Sequence, residues 1–208
     1  AIESVMSELR KFALPQDFRA RARIADPEAF EKEYRRSIED PEGFWREKGQ
    51  SLIPWMKPFT KTLQWERPFA KWFVDGELNA AHVCVDQHLD TPRRNKTAIV
   101  FEGEPGDTRT LTYAELHVEV CKAANALESM GLKKGDRVAV YMPMIPEAAI
   151  AMLACARIGC PHNVVFGGFS ADALRDRIND AKCKAVITAD GGYRRGSPLA
   201  LQAQVDAA

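Results

Sequence analysis

Between Arg137 and Thr188 short apolar runs alternate with helical stretches, and the links between them are too brief for anything but a layered sheet. Arg137-Val-Ala-Val-Tyr-Met142, His162-Asn-Val-Val-Phe166 and Lys184-Ala-Val-Ile-Thr188 read as three strands. Between the first two, Pro146 opens a helix that carries Ile150, Leu153 and Ala154 and stops at Gly159. Between the second and third, Gly167-Gly168-Phe169 turns into a helix capped by Ser170, with Leu174, Ile178 and Ala181 on its inner face. Strand, helix, strand, helix, strand with short connections predicts an α/β fold with a parallel sheet and right-handed crossovers.

Upstream, Thr97-Ala-Ile-Val-Phe101 and Arg109-Thr-Leu111 flank a turn-rich link and read as a β-hairpin. Thr112-Tyr-Ala-Glu115 has the form of a capping box, and Leu116, Val120, Ala124, Leu127 and Met130 follow in steps of three and four up to Gly131. The chain up to about residue 80 is irregular by comparison. It holds Trp45, Trp55, Trp65 and Trp72, and is punctuated by Pro41, Pro54, Pro58 and Pro68. Helical spacing survives there in pieces: Asp26 reads as a cap, Pro27 as a first helical residue, and Phe30 and Tyr34 lie one turn apart. The expected organisation is therefore a helical, aromatic-rich segment over residues 1–96 that drapes over a larger body, followed by an α/β portion over residues 97–208.

Charge narrows the function classes. Lys+Arg and Asp+Glu both number 29, so the formal net charge is zero, which argues against a basic nucleic-acid or membrane-surface binder. No apolar run reaches the roughly 18–20 residues a bilayer crossing needs. The stretch Ala1 to Arg23 mixes Glu3, Glu8, Arg10, Lys11 and Asp17 into its apolar positions, unlike a secretory leader. A soluble, cytoplasmic protein is expected. Cys84, Cys121, Cys155, Cys160 and Cys183 make an odd count without a framework spacing, which suits buried reduced thiols better than disulfides or a zinc site. The chain lacks an initial Met and closes on Gln202–Ala208 as a helix-like stretch without a stop signal, so a longer polypeptide is expected.

Two motifs could carry chemistry. Phe166-Gly167-Gly168-Phe169-Ser170 sits where a strand ends and a helix begins, the edge at which open α/β sheets bind ligands. Adjacent glycines there permit close backbone approach, or they merely make a tight turn. Gly191-Gly192-Tyr193-Arg194-Arg195-Gly196-Ser197 follows the third strand as a glycine-rich loop, where paired guanidinium forks could hold a phosphate or simply be solvated. Asp86 and His88 stand two apart, which suggests acid–base work but fits ordinary hydrogen bonding better. The run Tyr141–Ala148 offers neither nucleophile nor base and reads as structural.

Beyond these, Pro41-Glu-Gly-Phe-Trp45, Trp72-Phe-Val-Asp-Gly-Glu-Leu-Asn79, Cys84-Val-Asp-Gln-His88, Leu111-Thr-Tyr-Ala-Glu-Leu116, Tyr141–Ala148, Met152–Gly159 and Val165–Ser170 occur in one order. That ordered set resembles the N-terminal region of the AMP-forming acetyl-coenzyme A synthetases, a branch of the adenylate-forming acyl-CoA ligases, over about residues 25 to 200. Propionyl-coenzyme A synthetase is the near cousin. The resemblance implies the N-terminal part of the large ligase domain and a reaction in two halves. Acetate attacks the α-phosphate of ATP·Mg²⁺ to give acetyl-AMP and pyrophosphate, and the thiol of coenzyme A then displaces AMP.

It also implies that the phosphate loop, acetate pocket, magnesium ligands and adenylation lysine lie beyond this stretch, which alone should be inactive. What carries over is coenzyme A contact. Arg194 takes the position of an arginine that meets the 3′-phosphate, with Arg195, Gly196 and Ser197 completing the loop. Ser197 stands where Arg or Lys is common, and Arg195 is an added charge beside it. Phe166, Gly167 and Gly168 fall along the pantetheine channel. Val83 and Gln87 are further departures, at positions where Asn and Arg are usual. The implied partners are the small molecules acetate, ATP and coenzyme A, with no nucleic acid and no membrane. Two rival readings stand beside this one: a stand-alone cofactor-binding module, and an interaction domain built on the four tryptophans.

Overall fold

A computed structural model describes residues 12–208. The reading of Ala1–Arg23 as a charged stretch falls, for residues 1–11, outside them. The chain forms two compact units: one runs up to Ile53 and takes in Phe59–Asp75, the other comprises Pro54–Pro58 and Gly76–Ala208.

In the first unit the irregularity expected from the prolines gives way to regular elements: α1 (Gln16–Arg21), α2 (Pro27–Glu39), α3 (Pro41–Leu52) and the antiparallel pair β1 (Lys61–Glu66) and β2 (Phe69–Val74). The prolines explain the difference. Pro27 and Pro41 each open a helix, where a missing N–H costs nothing and the fixed φ is already helical. Asp26 accepts from the Glu28 amide at 3.2 Å and Asp40 from the Gly43 amide at 3.0 Å, so both starts are capped. Pro68, in a cis peptide, sits in the turn between β1 and β2. Helices α2 and α3 are joined by Arg36–Glu47 at 2.6 Å and Lys48–Glu33 at 3.1 Å, exposed pairs worth little each.

The second unit is the α/β portion. After α4 (Ala80–Cys84) and two 3₁₀ turns, Asp86–His88 and Pro92–Asn95, come β3 (Thr97–Glu102) and β4 (Thr108–Thr112), the antiparallel hairpin read from the sequence. The capping box that starts α5 (Tyr113–Ser129) is complete: Thr112 Oγ1 accepts from the Glu115 amide at 3.2 Å, and Glu115 Oε2 from the Thr112 amide at 2.7 Å. Then β5 (Val138–Met142), α6 (Pro146–Arg157), β6 (His162–Phe166), α7 (Ala171–Ala181) and β7 (Ala185–Thr188) alternate as expected. The strands form one parallel sheet in the order β6-β5-β7, with Val138 opposite both His162 and Ala185. Central β5 is buried on both faces from Val138 through Tyr141, which is why it reads as an unbroken apolar run.

Val138, Ala154 and Cys155 share one core cluster with Ala124, Leu127, Leu132 and Cys160. Burial pushes the Cys155 thiol up to about 11 and raises that of Cys160, so both behave as small apolar groups.

One segment departs from expectation. Gly191–Ser197 is not a loop: β8 (Gly191–Arg194) pairs antiparallel with β9 (Ser197–Ala200), and α8 (Leu201–Asp206) follows, overlapping the Gln202–Ala208 stretch expected to be helix-like. Arg195 and Gly196 form the two-residue turn with φ of 54° and 76°, the doubly positive geometry that matches strand twist in tight hairpins. Two glycines entering a strand and an Arg-Gly turn in place of Asn-Gly conceal a hairpin from pattern reading. Among the described residues no helix is long and apolar enough to cross a membrane.

Candidate functional site

The carboxyl ends of β5, β6 and β7 lie along one edge of the sheet, and both candidate motifs leave from it. Tyr141, fully buried near the end of β5, donates its hydroxyl proton to the carbonyls of Gly167 at 3.1 Å and Phe169 at 2.8 Å. Burial raises the pKa of that hydroxyl, so it stays a donor and pins the Phe166–Phe169 turn. Within the turn the Phe169 amide bonds the Phe166 carbonyl at 3.0 Å, and the two rings meet edge to face at 5.8 Å.

The structure brings the two motifs together. Arg194, on β8, holds its guanidinium 4.8 Å from the centre of the Phe166 ring. A Cβ at Gly168 would collide with Arg194 Nη1, so the glycine leaves the space that the guanidinium fills. Gly167 also has a packing reason: a Cβ there would stand 3.3 Å from the Met142 carbonyl oxygen and 3.4 Å from Leu201. At the hairpin tip the Gly196 amide donates to Glu104 Oε1 at 2.8 Å, and Ser197 is paired with Arg194 across the strands. Neither Arg194 nor Arg195 has a carboxylate partner among the described residues, which leaves two exposed guanidinium groups at one sheet edge. Beside them opens a cleft of about 880 Å³, bordered by Glu104, Pro143, Met144, Asp190, Tyr193 and Leu199. Pro143 and Met144, read as structural, thus also form part of a wall.

A second polar cluster lies elsewhere in this unit. Asp86 takes a forked pair of bonds from Arg157, at 2.6 and 3.0 Å, and one from His117 Nδ1 at 2.8 Å. Burial works against ionisation of Asp86, but Arg157 and His117 together outweigh it and hold the carboxyl below its ordinary range. His88 takes no part; its ring meets Tyr113 edge-on at 4.8 Å. The Asp86–His88 spacing therefore marks no acid–base pair. The hydrogen-bond partners of Asp86 lie 31 and 71 residues away, beyond the reach of local pattern, and the one local partner is His82, whose Nδ1 stands 3.7 Å from the carboxylate. Cys121 Sγ stands 3.6 and 3.9 Å from the two His117 ring nitrogens, nearly equidistant rather than in line with either, so the thiol has no aligned base. The two departures Val83 and Gln87 meet, the Gln87 amide donating to the Val83 carbonyl.

A glycine turn and a cationic hairpin stand here at the carboxyl edge of a parallel sheet, the edge at which open α/β proteins bind ligands, and comparison with known sequences gives the class. The chain belongs to the AMP-binding enzyme family, whose pattern matches residues 85–208. Residues 30–84 match the family described as the acetyl-coenzyme A synthetase N-terminus. The relatives are specific. An acetyl-coenzyme A synthetase of Streptomyces avermitilis is 56% identical over 207 residues, covering 99% of this chain and 31% of the relative. That of Deinococcus radiodurans is 51% identical over 207 residues, covering 100% and 32%. That of Wolinella succinogenes is 62% identical over 170 residues, covering 81% and 26%. The chain thus spans about a third of the length of the curated relatives it matches.

Proposed function

We propose that the chain is the N-terminal portion of an AMP-forming acetate–coenzyme A ligase, and that it supplies coenzyme A contacts rather than adenylation groups. In this reading residues 1–96 are the leading segment of the large ligase domain and residues 97–208 its first α/β part, in a cytoplasmic enzyme. Acetate is preferred to propionate as the substrate because the relatives named here are all acetyl-coenzyme A synthetases.

The observation that carries the proposal is the convergence of Arg194, Phe166 and Gly168 at the carboxyl edge of the sheet. Arg194 and Arg195 present fork-shaped cations suited to a terminal phosphate, with the Gly196 backbone and the Ser197 hydroxyl beside them. The Phe166–Gly168 turn offers bare backbone and an aromatic face to an extended amide-bearing arm. ATP is bound, and acetate activated, elsewhere in the ligase. Mg²⁺ supplies charge neutralisation for adenylation, and no step through it is assigned to these residues: among those described, no three His, Cys, Asp or Glu side chains converge on a metal position.

In the full-length ligase Arg194→Ala should raise the KM for coenzyme A by roughly tenfold or more, the loss of one charged contact. Acetate-dependent ATP–pyrophosphate exchange should stay intact. Loss of exchange with coenzyme A kinetics unchanged would overturn the assignment.

A second reading, an interaction module, keeps one observation of its own. Trp45, Trp65 and Trp72, all in the first unit, are 44%, 61% and 43% exposed, which is apolar surface that a partner could cover.

A further inference from the structure

The cationic hairpin is held from a distance. Its turn residue Gly196 donates its amide proton to Glu104 Oε1 at 2.8 Å, and Glu104 belongs to the link between β3 and β4, ninety-two residues earlier. That link is itself fixed. The Gly103 amide bonds the Asp107 carbonyl at 2.7 Å and the Gly106 amide bonds the Gly103 carbonyl at 2.9 Å. Arg109 on β4, two residues past that link, is ion-paired with Glu147 on α6, which ties the link end of the β3–β4 hairpin to the body of the sheet unit.

The carboxylate's choice of partner is informative. Glu104 lies next to a turn with two arginines, yet it accepts from the backbone amide of Gly196, and no ion pair with either guanidinium forms. A carboxylate beside a phosphate seat repels the ligand, so its presence costs affinity unless it does something else. What it does is fix the backbone between Arg194 and Ser197. The β8–β9 pairing closes this turn, and a further bond to its Gly196 amide limits how far the exposed arginine pair moves before ligand binds, which removes part of the ordering cost.

We infer that Glu104 is a positioning residue for the coenzyme A phosphate, acting through the Gly196 amide to preset the Arg194–Arg195 turn. The inference rests on the coenzyme A reading of that turn. A hydrogen bond needs an acceptor, not a charge, so the amide of glutamine can replace the carboxylate while removing its repulsion.

The test uses the full-length ligase carrying this chain, with Glu104→Ala, Glu104→Gln and Arg194→Ala compared. Glu104→Ala should raise the KM for coenzyme A about threefold to tenfold, with kcat at saturating coenzyme A and the ATP–pyrophosphate exchange unchanged. Glu104→Gln should keep the original KM or lower it. Amide hydrogen exchange across residues 192–198 should quicken in Glu104→Ala and not in Glu104→Gln, a readout independent of any ligand. If Arg194→Ala raises the KM and Glu104→Ala does not, the positioning role falls and the coenzyme A reading stands. The same holds if Ala and Gln both lower the KM, since the carboxylate would then act only by repulsion. If Arg194→Ala leaves the KM unchanged, the coenzyme A reading itself falls.

Discussion

Asp86 shows how a single side chain carries structure across the second unit. It sits in a 3₁₀ turn and receives Arg157 from α6 and His117 from α5, so three elements share one carboxylate. Arg157 is committed to it: its Nε is buried without a partner, leaving the forked Nη bonds as the compensation for placing that cation there. Asp86→Asn should therefore destabilise the protein by about 2 kcal/mol at neutral pH, the cost of weakening charged hydrogen bonds in a partly buried site. The pH dependence has a definite sign. The folded carboxyl titrates below its ordinary 3.8, so its contribution is complete above that value and disappears as pH falls through the lower, folded one. Denaturant melts at neutral pH and at successively lower pH should show the gap between the two proteins closing in acid. A gap that stays constant would mean the Asp86 charge plays no part.

At the scale of elements, legibility followed the range of the forces involved. The alternation of β5, α6, β6, α7 and β7, the Thr112–Glu115 capping box and the Asp26–Pro27 helix start were all readable because each is set within a few neighbouring residues. Helices α2 and α3 were underread because Pro41 was treated as a breaker, although a proline in the first turn starts a helix as readily as it ends one. The β8–β9 hairpin was hidden by its glycines. The candidate site was legible as two separate motifs, and only tertiary structure joins them, by the stacking of Arg194 on Phe166 over Gly168. That junction is testable. Both atoms that block a Cβ at Gly168, Arg194 Nη1 and Phe166 Cε1, belong to exposed side chains rather than to backbone, so Gly168→Ala should leave the melting temperature nearly unchanged while pushing the guanidinium and the Phe166 ring apart. The KM for coenzyme A should then rise, by less than in Arg194→Ala because the charge persists. A large loss of stability with unaltered coenzyme A kinetics would show that the glycine serves packing alone.

For the whole molecule, the balance of 29 basic and 29 acidic groups gives no overall field to draw in an anionic nucleotide, so any phosphate affinity has to come from local groups. Those in view are two arginines and a few backbone amides. Charged contacts of this kind supply about 1.5–3 kcal/mol each, and a millimolar dissociation constant corresponds to about 4 kcal/mol. Two such contacts, less the cost of ordering ligand and side chains, leave the 208-residue chain with millimolar or weaker affinity for a 3′-phosphorylated nucleotide. Adenylation asks for more: acetate, the α-phosphate and a metal must be held together, and catalysis of that sort depends on simultaneous positioning. In the function proposed above those groups lie in other parts of the ligase. The isolated chain should accordingly give acetate-dependent ATP–pyrophosphate exchange no higher than a buffer control, with or without coenzyme A. Titration with adenosine 3′,5′-bisphosphate should give a weak signal that Arg194→Ala abolishes. Exchange clearly above the control, retained through purification to homogeneity, would place adenylation groups within these residues and overturn the division of labour proposed for them.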